Sequence, residues 1–231
     1  MESYLYLLID LGCISVPLAL SFYAKRPFFK EWKYFFPACG AAALVFLIWD
    51  YYFTDWAVWG FNPTYLTGIY FFNLPLEEVL FFFFIPYACV FTYFALTYLM
   101  EQSPLARLHK AISVLMIVVL TLVGITHLDQ WYTSTTFLGL SVVLALTLYY
   151  GKDLSFIYFS YLVILPFFFL SNGILTGSFL EKPIVWYDNS KNLGIRMFTI
   201  PVEDTFYGFL LILLTILGYE FLKKRDAQKV K

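Results

Sequence analysis

Charged residues are scarce in this sequence. Asp, Glu, Lys and Arg make up 13% of the 231 residues, against roughly 25% in typical soluble domains. The net charge of −1 argues against nucleic acid as a partner. Three cysteines, Cys13, Cys39 and Cys89, lie inside apolar segments without metal-ligand spacing, and the two histidines, His109 and His127, are far apart. We therefore expect no bound metal.

What the chain has instead is apolar sequence. Hydrophobic residues make up 61% of it and aromatic residues 23%, with 27 Phe and 19 Tyr. A helix needs roughly 20 apolar residues to cross a bilayer. The apolar runs predict seven transmembrane helices near residues 4–24, 34–53, 76–100, 111–128, 133–150, 154–171 and 203–222. The first run follows the acidic Glu2 and has no small-residue cleavage site, so we interpret it as a mature helix, not a signal peptide.

The basic residues predict the orientation of these helices. The connectors that would share one side, together with the C-terminal tail, hold Lys25, Arg26, Lys30, Lys33, Arg107, Lys110, Lys152, Lys223, Lys224, Arg225, Lys229 and Lys231. The opposite side holds Lys182, Lys191 and Arg196. Because cytoplasmic loops carry an excess of Lys and Arg, we expect a multi-pass protein of the cell membrane with its N-terminus outside and its C-terminus in the cytoplasm.

Two long connectors on the predicted outer side repeat each other. They cover residues 58–78 and 185–204 and align with one gap. The alignment pairs Trp59 with Trp186, Asn62 with Asn189, Gly68-Ile69 with Gly194-Ile195, Phe72 with Phe198, Pro75 with Pro201, Glu77 with Glu203, and Glu78 with Asp204. Internal repetition indicates a duplicated architecture. We predict an all-α integral membrane protein with tandem parallel three-helix repeats, over 1–103 and 131–231, joined by a linker helix within 104–130. Both acidic motifs should then lie at the outer face.

Each motif can be interpreted as a helix start or as a chemical site. Proline followed by Glu is a common helix beginning, in which the carboxylate satisfies free N–H groups. However, a cap needs one carboxylate and each motif has two. Four acids beside hydrocarbon cannot all be ionised cheaply, so we expect some to be protonated and some ionised, as acid–base chemistry requires. Arg196 could hold one acid ionised. Asp10, Asp50 and Asn172 are further polar candidates near the same helix ends, although Asp10 and Asp50 could equally be interfacial or packing residues.

The two motifs resemble those of the membrane-integral lycopene cyclase family. Pro75-Leu76-Glu77-Glu78 and Pro201-Val202-Glu203-Asp204 each open an aromatic-rich helix of a three-helix repeat. The family occurs as two small subunits or as one fused chain, and this sequence resembles the fused form over essentially its full length. The surrounding run from Pro201 to Gly208 adds to the likeness.

The resemblance implies a redox-neutral isomerisation of an acyclic carotenoid. A protonated carboxyl protonates the terminal double bond, the cation closes a six-membered ring, and a carboxylate removes a proton. We expect Glu77 and Glu203 to be essential and Glu78 and Asp204 to assist. A β-ring is the expected product, and an ε-ring stays open because the two differ only in which proton leaves the cation. Aromatic rings could stabilise the cation or bind the substrate together with Arg196; the candidates are Trp59, Phe71, Phe72, Phe81, Phe82, Trp186, Phe198, Phe206 and Tyr207.

The same resemblance implies that no cofactor is needed. A second lycopene cyclase family binds a flavin dinucleotide through a G-x-G-x-x-G turn, and this sequence has no such run and no P-loop. The expected partners are an apolar carotenoid and the lipid bilayer, with other enzymes of carotenoid synthesis as further candidates.

Three other functions remain open at this point. A retinal photoreceptor needs a lysine inside the membrane, and the last helix has none before Lys223. A proton-coupled transporter would suit repeated carboxylates, although these acids are expected near one face and not at the midplane. A non-catalytic carotenoid-binding protein would differ from an enzyme only in what the acids do.

Overall fold

Long apolar helices make up most of the protein. The computed structural model describes residues 2–229, and in that range seven helices are long and apolar enough to cross a membrane. They are α1 (Leu5–Leu20), α2 (Trp32–Asp55), α3 (Leu76–Leu99), α4 (His109–Thr126), α5 (Trp131–Tyr149), α6 (Ser155–Leu175) and α7 (Val202–Lys229). The predicted all-α integral membrane fold with seven helices is confirmed.

Three helix ends lie four or more residues from the prediction; one of them is α6, which ends at Leu175 and not at residue 171. Helix α1 ends at Leu20, four residues early, because the buried hydroxyl of Ser21 bonds to the carbonyl of Pro17 and to the phenol of Tyr87. Such side-chain bonds compete with continued helix. Helix α7 runs on to Lys229, past the predicted end at residue 222, because the Lys, Arg, Ala and Gln of the tail are good helix formers.

The chain divides into two compact units. The first contains residues 1–56, 61–95 and 211–231, and the second contains residues 57–60 and 96–210. In the first unit, Phe28 is fully buried and its ring packs against Phe35, Tyr87 and Phe94. The predicted division at residues 103 and 130 follows the repeats and stays a prediction.

In the second unit, α4 and α5 lie very close together. A Cβ added to Gly124 of α4 would lie 2.8 Å from Cγ of Leu138 in α5. Small residues at such crossings let helix backbones approach each other in a membrane. The ring of Phe209, at the start of α7, packs against Tyr158 and Tyr161 of α6.

The two long connectors contain short strands that the sequence did not predict. They are β1 (Trp59–Phe61), β2 (Tyr70–Phe71), β3 (Leu74–Pro75), β4 (Val185–Tyr187), β5 (Arg196–Met197) and β6 (Ile200–Pro201). Strands β2 and β3 form an antiparallel hairpin in the first unit, and β5 and β6 form one in the second. Each hairpin leads directly into a membrane helix, α3 or α7.

The structural repeat corrects part of the sequence alignment. Asn62 accepts a hydrogen bond from the N–H of Thr64, and Asp188 accepts the same bond from Ser190. Both residues cap a short 3-10 turn. The equivalent of Asn62 is therefore Asp188 and not Asn189. Because β1 begins at Trp59 and β4 at Val185, Trp59 corresponds to Val185 and not to Trp186, and no gap is needed. The alignment failed because Asn and Asp cap such turns equally well. The N–H and hydroxyl of Ser190 also hold the pKa of Asp188 below its usual value.

Candidate active site

Four acids lie in the first turns of two helices. Glu77 and Glu78 begin α3, and Glu203 and Asp204 begin α7. All four side chains are buried, Glu77 and Glu203 completely. Carboxyl groups are very rarely buried unless they are paired or functional. The preceding prolines end strands β3 and β6 instead of opening the helices.

Glu77 and Glu203 are held in the same way. Oε1 of Glu77 accepts a 2.6 Å hydrogen bond from the backbone N–H of Thr67, and Oε1 of Glu203 accepts one of 2.8 Å from Leu193. Glu203 also accepts a 2.6 Å bond from the hydroxyl of Thr133. These donors lie in the connectors and in α5, and not in the first turn that a helix cap would satisfy. The two glutamates therefore tie each connector to its helix.

The second carboxyl oxygen of each glutamate accepts no hydrogen bond from the described residues. Within residues 2–229, Oε2 of Glu77 and Oε2 of Glu203 are buried and have no hydrogen-bond partner. An unsatisfied buried polar atom is costly, so its presence in both units calls for an explanation. Proton exchange with a bound molecule would use such an atom.

Asp204 has both of its oxygens engaged. Oδ1 accepts a 2.6 Å bond from the phenol of Tyr132, while Oδ2 accepts bonds of 2.8 Å from Asn172 and 2.9 Å from Tyr187. In the first unit, the phenol of Tyr6 donates a 2.5 Å bond to Oε2 of Glu78. The second acid of each motif is thus oriented by a tyrosine.

Asp10 and Asp50 are two further buried acids of the first unit. Both are buried, with exposed fractions of 0% and 1%. Asp10 interacts electrostatically with Glu77 and Glu78, and Asp50 with Tyr6. Neither oxygen of Asp10 has a hydrogen-bond partner among the described residues. The structure therefore places both aspartates inside the first unit and not at an interfacial surface.

Arg196 interacts electrostatically with Asp204 but donates no hydrogen bond to it among the described residues. Its guanidinium donates to Oδ1 of Asn189 at 2.6 Å and to the carbonyl of Thr199 at 3.1 Å. It also lies over the ring of Tyr187, 5.3 Å from the centroid. Since Tyr187 donates to Asp204, Arg196 lies beside this acid and one of its hydrogen-bond donors, and the expectation that it favours the ionised acid stays a prediction.

An aromatic cluster surrounds Asp204 in the second unit. We use this name for Trp59, Tyr132, Tyr187 and Tyr207. The Trp59 ring lies 5.0 Å from Tyr132, 6.2 Å from Tyr187 and 5.9 Å from Tyr207. Two of the four rings, Trp59 and Tyr207, were predicted to bind substrate. The π faces of such a cluster attract cations.

The other predicted rings lie elsewhere. Phe206 packs against Phe137 and lines a cavity of about 160 Å³ between α4, α6 and α7, and Phe81 packs against Phe82. The remaining predicted rings are exposed: Trp186 by 41%, Phe71 by 53%, Phe198 by 88% and Phe72 by 92%. The structure does not bring these four rings to the buried carboxyls of their own units.

Four side chains that orient the acids were missed from the sequence: Tyr6, Tyr132, Thr133 and Tyr187. Tyr6 and Tyr132 precede Glu78 and Asp204 by the same 72 positions, so extending the repeat into the first helix of each half would have found them. Thr133 and Tyr187 have no such signal. Across residues 2–229, no group of three or more His, Cys, Asp or Glu side chains could hold a metal ion.

Comparison with known proteins identifies the family. The family model described as lycopene cyclase matches residues 3–96 and again residues 129–222. No curated protein and no solved structure gives a significant match. The two matches together cover most of the chain, each contains one acidic motif, and each begins just before the tyrosine that orients it. The chain belongs to the lycopene cyclase family.

Proposed function

We propose that this chain closes the acyclic ends of lycopene into β-rings by acid–base isomerisation. The proposal rests on the unsatisfied carboxyl oxygen of each glutamate. Oε2 of Glu77 and of Glu203 is buried without a hydrogen-bond partner among the described residues, while Oε1 accepts a backbone hydrogen bond. A tethered carboxyl with one free oxygen is well placed to exchange a proton with a substrate in a dry site.

The proposed reaction adds one proton and removes one. A carboxyl O–H protonates the terminal double bond and leaves a tertiary cation. The electrons of a nearby double bond attack this cation and close the six-membered ring. A carboxylate then takes a proton from the carbon next to the new cation, which forms the ring double bond. The product is an isomer of the substrate, so nothing is oxidised or reduced.

The buried residues support separate roles for the acids. Glu77 and Glu203 each keep one oxygen free and are proposed to exchange protons with substrate. Asp204 uses both oxygens in hydrogen bonds with Tyr132, Asn172 and Tyr187, so we propose that it positions its neighbour Glu203. Glu78, held by Tyr6, is assigned the same positioning role in the first unit.

The surroundings of these acids suit a carbocation. Water would capture the cation, and the apolar helices keep water from the buried carboxyls. In the aromatic cluster, the π faces of Trp59 and the three tyrosines can stabilise positive charge, by roughly 2 kcal/mol when desolvated. We propose that this cluster binds the reacting end of the polyene in the second unit.

The proposal is tested by expressing the chain in a bacterium that accumulates lycopene. Pigments are separated by chromatography and identified by their absorbance spectra. The parent should give β-carotene or a one-ring intermediate. Glu77→Gln and Glu203→Gln keep the shape of the side chain but cannot exchange protons as a carboxyl does, so each should abolish ring formation. Membrane protein levels are measured in every strain.

The matched control is Glu181→Gln, which changes an exposed glutamate outside the helices and should leave the pigments unchanged. If the folded parent leaves lycopene intact, lycopene cyclisation is rejected for this chain. If both active-site variants still form rings, the function stands but the assignment of Glu77 and Glu203 is wrong. A product with the spectrum of an ε-ring would reject the β assignment.

We further propose that the N-terminus lies outside the cell membrane and the C-terminus in the cytoplasm, since the basic residues favour that orientation. Fusions at the C-terminus test this. A green fluorescent protein fused there should fluoresce, and alkaline phosphatase fused there should be inactive. The reverse pattern would invert the proposed topology.

A further inference from the structure

The tips of the two hairpins carry phenylalanines in an unusual backbone conformation. Strands β2 and β3 pair Phe71 with Leu74, which leaves Phe72 and Asn73 as a two-residue loop. Strands β5 and β6 leave Phe198 and Thr199 in the same way. Phe72 has φ of +56° and Phe198 has φ of +58°. In a two-residue hairpin loop, this first position favours glycine, because a side chain there is strained.

The strain is not offset by packing inside either unit. The side chains of Phe72 and Phe198 are 92% and 88% exposed. Each has one neighbouring ring at its edge, Tyr51 at 6.1 Å and Phe169 at 6.4 Å. Strained residues persist where something else compensates for them. Asn73 donates to the carbonyl of Tyr51, and the hydroxyl of Thr199 bonds to Thr176 and Ser178, so each turn is held within its unit. These bonds leave the two repeat-related phenylalanine rings uncovered, and the rings therefore point to a surface outside the unit.

The position of the hairpins indicates what lies outside. Strand β3 ends at Pro75 and α3 begins at the next residue, and β6 and α7 are joined in the same way. The first N–H of α3 bonds to the carbonyl of Ile69 at 2.8 Å, and that of α7 bonds to Ile195 at 3.0 Å. Each hairpin is therefore fixed to the end of a membrane-spanning helix. Its tip lies at the boundary where aromatic rings partition between lipid headgroups and acyl chains.

The surface around the tips has the same character. Ile69, Tyr70 and Phe71 of the first hairpin are each about half exposed, as is Ile195 of the second. These side chains extend the apolar surface from each tip back to the helix. A surface of this composition, continuous with a lipid-facing helix, fits a lipid interface better than water.

We propose that Phe72 and Phe198 are interfacial membrane anchors, whose rings insert between the lipid headgroups at the ends of α3 and α7. Contact with lipid adds to the hydrogen bonds of Asn73 and Thr199 that hold the strained turns. This assignment replaces the expectation that the two rings bind substrate, and it does not depend on the reaction that the chain catalyses. Because Glu77 and Glu203 are tied to the residues just before each hairpin, the anchors also hold each glutamate at a constant depth.

The anchors can be located with nitroxide labels in phosphatidylcholine–phosphatidylglycerol vesicles. Phe72→Cys and Phe198→Cys are labelled, and relaxation by oxygen is compared with relaxation by a water-soluble nickel complex. Glu181→Cys provides the water reference and Leu122→Cys, on the exposed face of α4, the lipid reference. The unsubstituted protein measures background labelling of the native cysteines. Labels at 72 and 198 should be several-fold more accessible to oxygen, relative to nickel, than the label at 181.

Two results would overturn the proposal. Nickel accessibility at both tips equal to that at 181 would place the rings in water. Immobile labels closed to both reagents would show that protein, or another bound molecule, covers them.

A second experiment asks whether the ring itself anchors the hairpin. A label on Tyr70→Cys reports hairpin depth while residue 72 is Phe, Gly or Trp. Glycine suits the turn, so the fold should survive, yet nickel accessibility at position 70 should rise several-fold. Tryptophan should restore the parent value. Equal accessibility in all three proteins would mean that the phenylalanine ring does not anchor the hairpin.

Discussion

The phenol of Tyr132 donates a 2.6 Å hydrogen bond to Oδ1 of Asp204, 72 positions further along the chain. Tyr6 and Glu78 reproduce this relationship in the first unit, at 2.5 Å and with the same separation. In both units, a neutral donor on the first helix of the repeat fixes the second acid of the motif. A tyrosine orients a carboxyl without adding a formal charge to a buried site, where charges are costly.

The three donors to Asp204 should differ in importance. Tyr132→Phe removes the donor to Oδ1, whereas Tyr187→Phe leaves Asn172 bonded to Oδ2. A hydrogen bond to a charged group contributes roughly 1.5–3 kcal/mol, so Tyr132→Phe should lower turnover about tenfold to a hundredfold. Tyr187→Phe should lower it less. Initial rates of ring formation in membranes, at equal protein level, measure the difference.

The control for this comparison is Tyr149→Phe, at an 82% exposed position in α5, which should keep the parent rate. A larger loss with Tyr187→Phe than with Tyr132→Phe would contradict the idea that Oδ1 is the sensitive oxygen.

We expect Asp10 to lower the stability of the fold but to support turnover. Its two oxygens are buried without a hydrogen-bond partner among the described residues, and replacing such a group by an apolar one of similar size is often neutral or stabilising. Asp10→Leu should therefore keep or raise the melting temperature in detergent, and yet reduce turnover, because it removes one acid from the set around Glu77 and Glu78.

Asp10→Asn serves as the isosteric companion to that variant, since it keeps the shape and removes the ionisable carboxyl group. It should also lose turnover. Parent activity in Asp10→Asn would show that the acid is not needed for the reaction. A drop in both melting temperature and turnover in Asp10→Leu would show that Asp10 is a structural residue.

Adding a methyl group where α4 and α5 cross should destabilise the protein. Gly124→Ala would place a Cβ 2.8 Å from Leu138, and overpacking of this kind costs about 1–3 kcal/mol. We expect a lower melting temperature. Gly12→Ala in α1 is the matched change, because nothing lies within 4 Å of its new Cβ. It should be neutral or stabilising, by up to about 1 kcal/mol from helix propensity. Equal effects of the two substitutions would contradict the close approach.

The sequence was sufficient for much of this description. Seven long apolar runs predict seven helices, because a helix satisfies its own backbone hydrogen bonds in lipid. Glu77, Glu78, Glu203 and Asp204 could be selected because buried acids are rare and these occur twice in one motif. Periodicity and composition could not predict the hairpins, since strands of two residues carry no recognisable pattern, or the exact end of α1, which depends on a hydroxyl bond between Ser21 and Tyr87.

The membrane fold, the duplication and the four acids can be predicted from the sequence, because each depends on local hydrophobicity or on a repeated motif. What each acid contacts is visible only in the folded chain. The structure identifies Tyr6, Tyr132, Thr133 and Tyr187 as donors. It places Arg196 over the ring of Tyr187, where it interacts electrostatically with Asp204, and it leaves Oε2 of Glu77 and Glu203 without a hydrogen-bond partner among the described residues. The physical reason is distance along the chain. Hydrogen bonds act over about 3 Å, while Tyr6 and Glu78 are 72 positions apart in the chain, and only the packing of the helices brings such residues together.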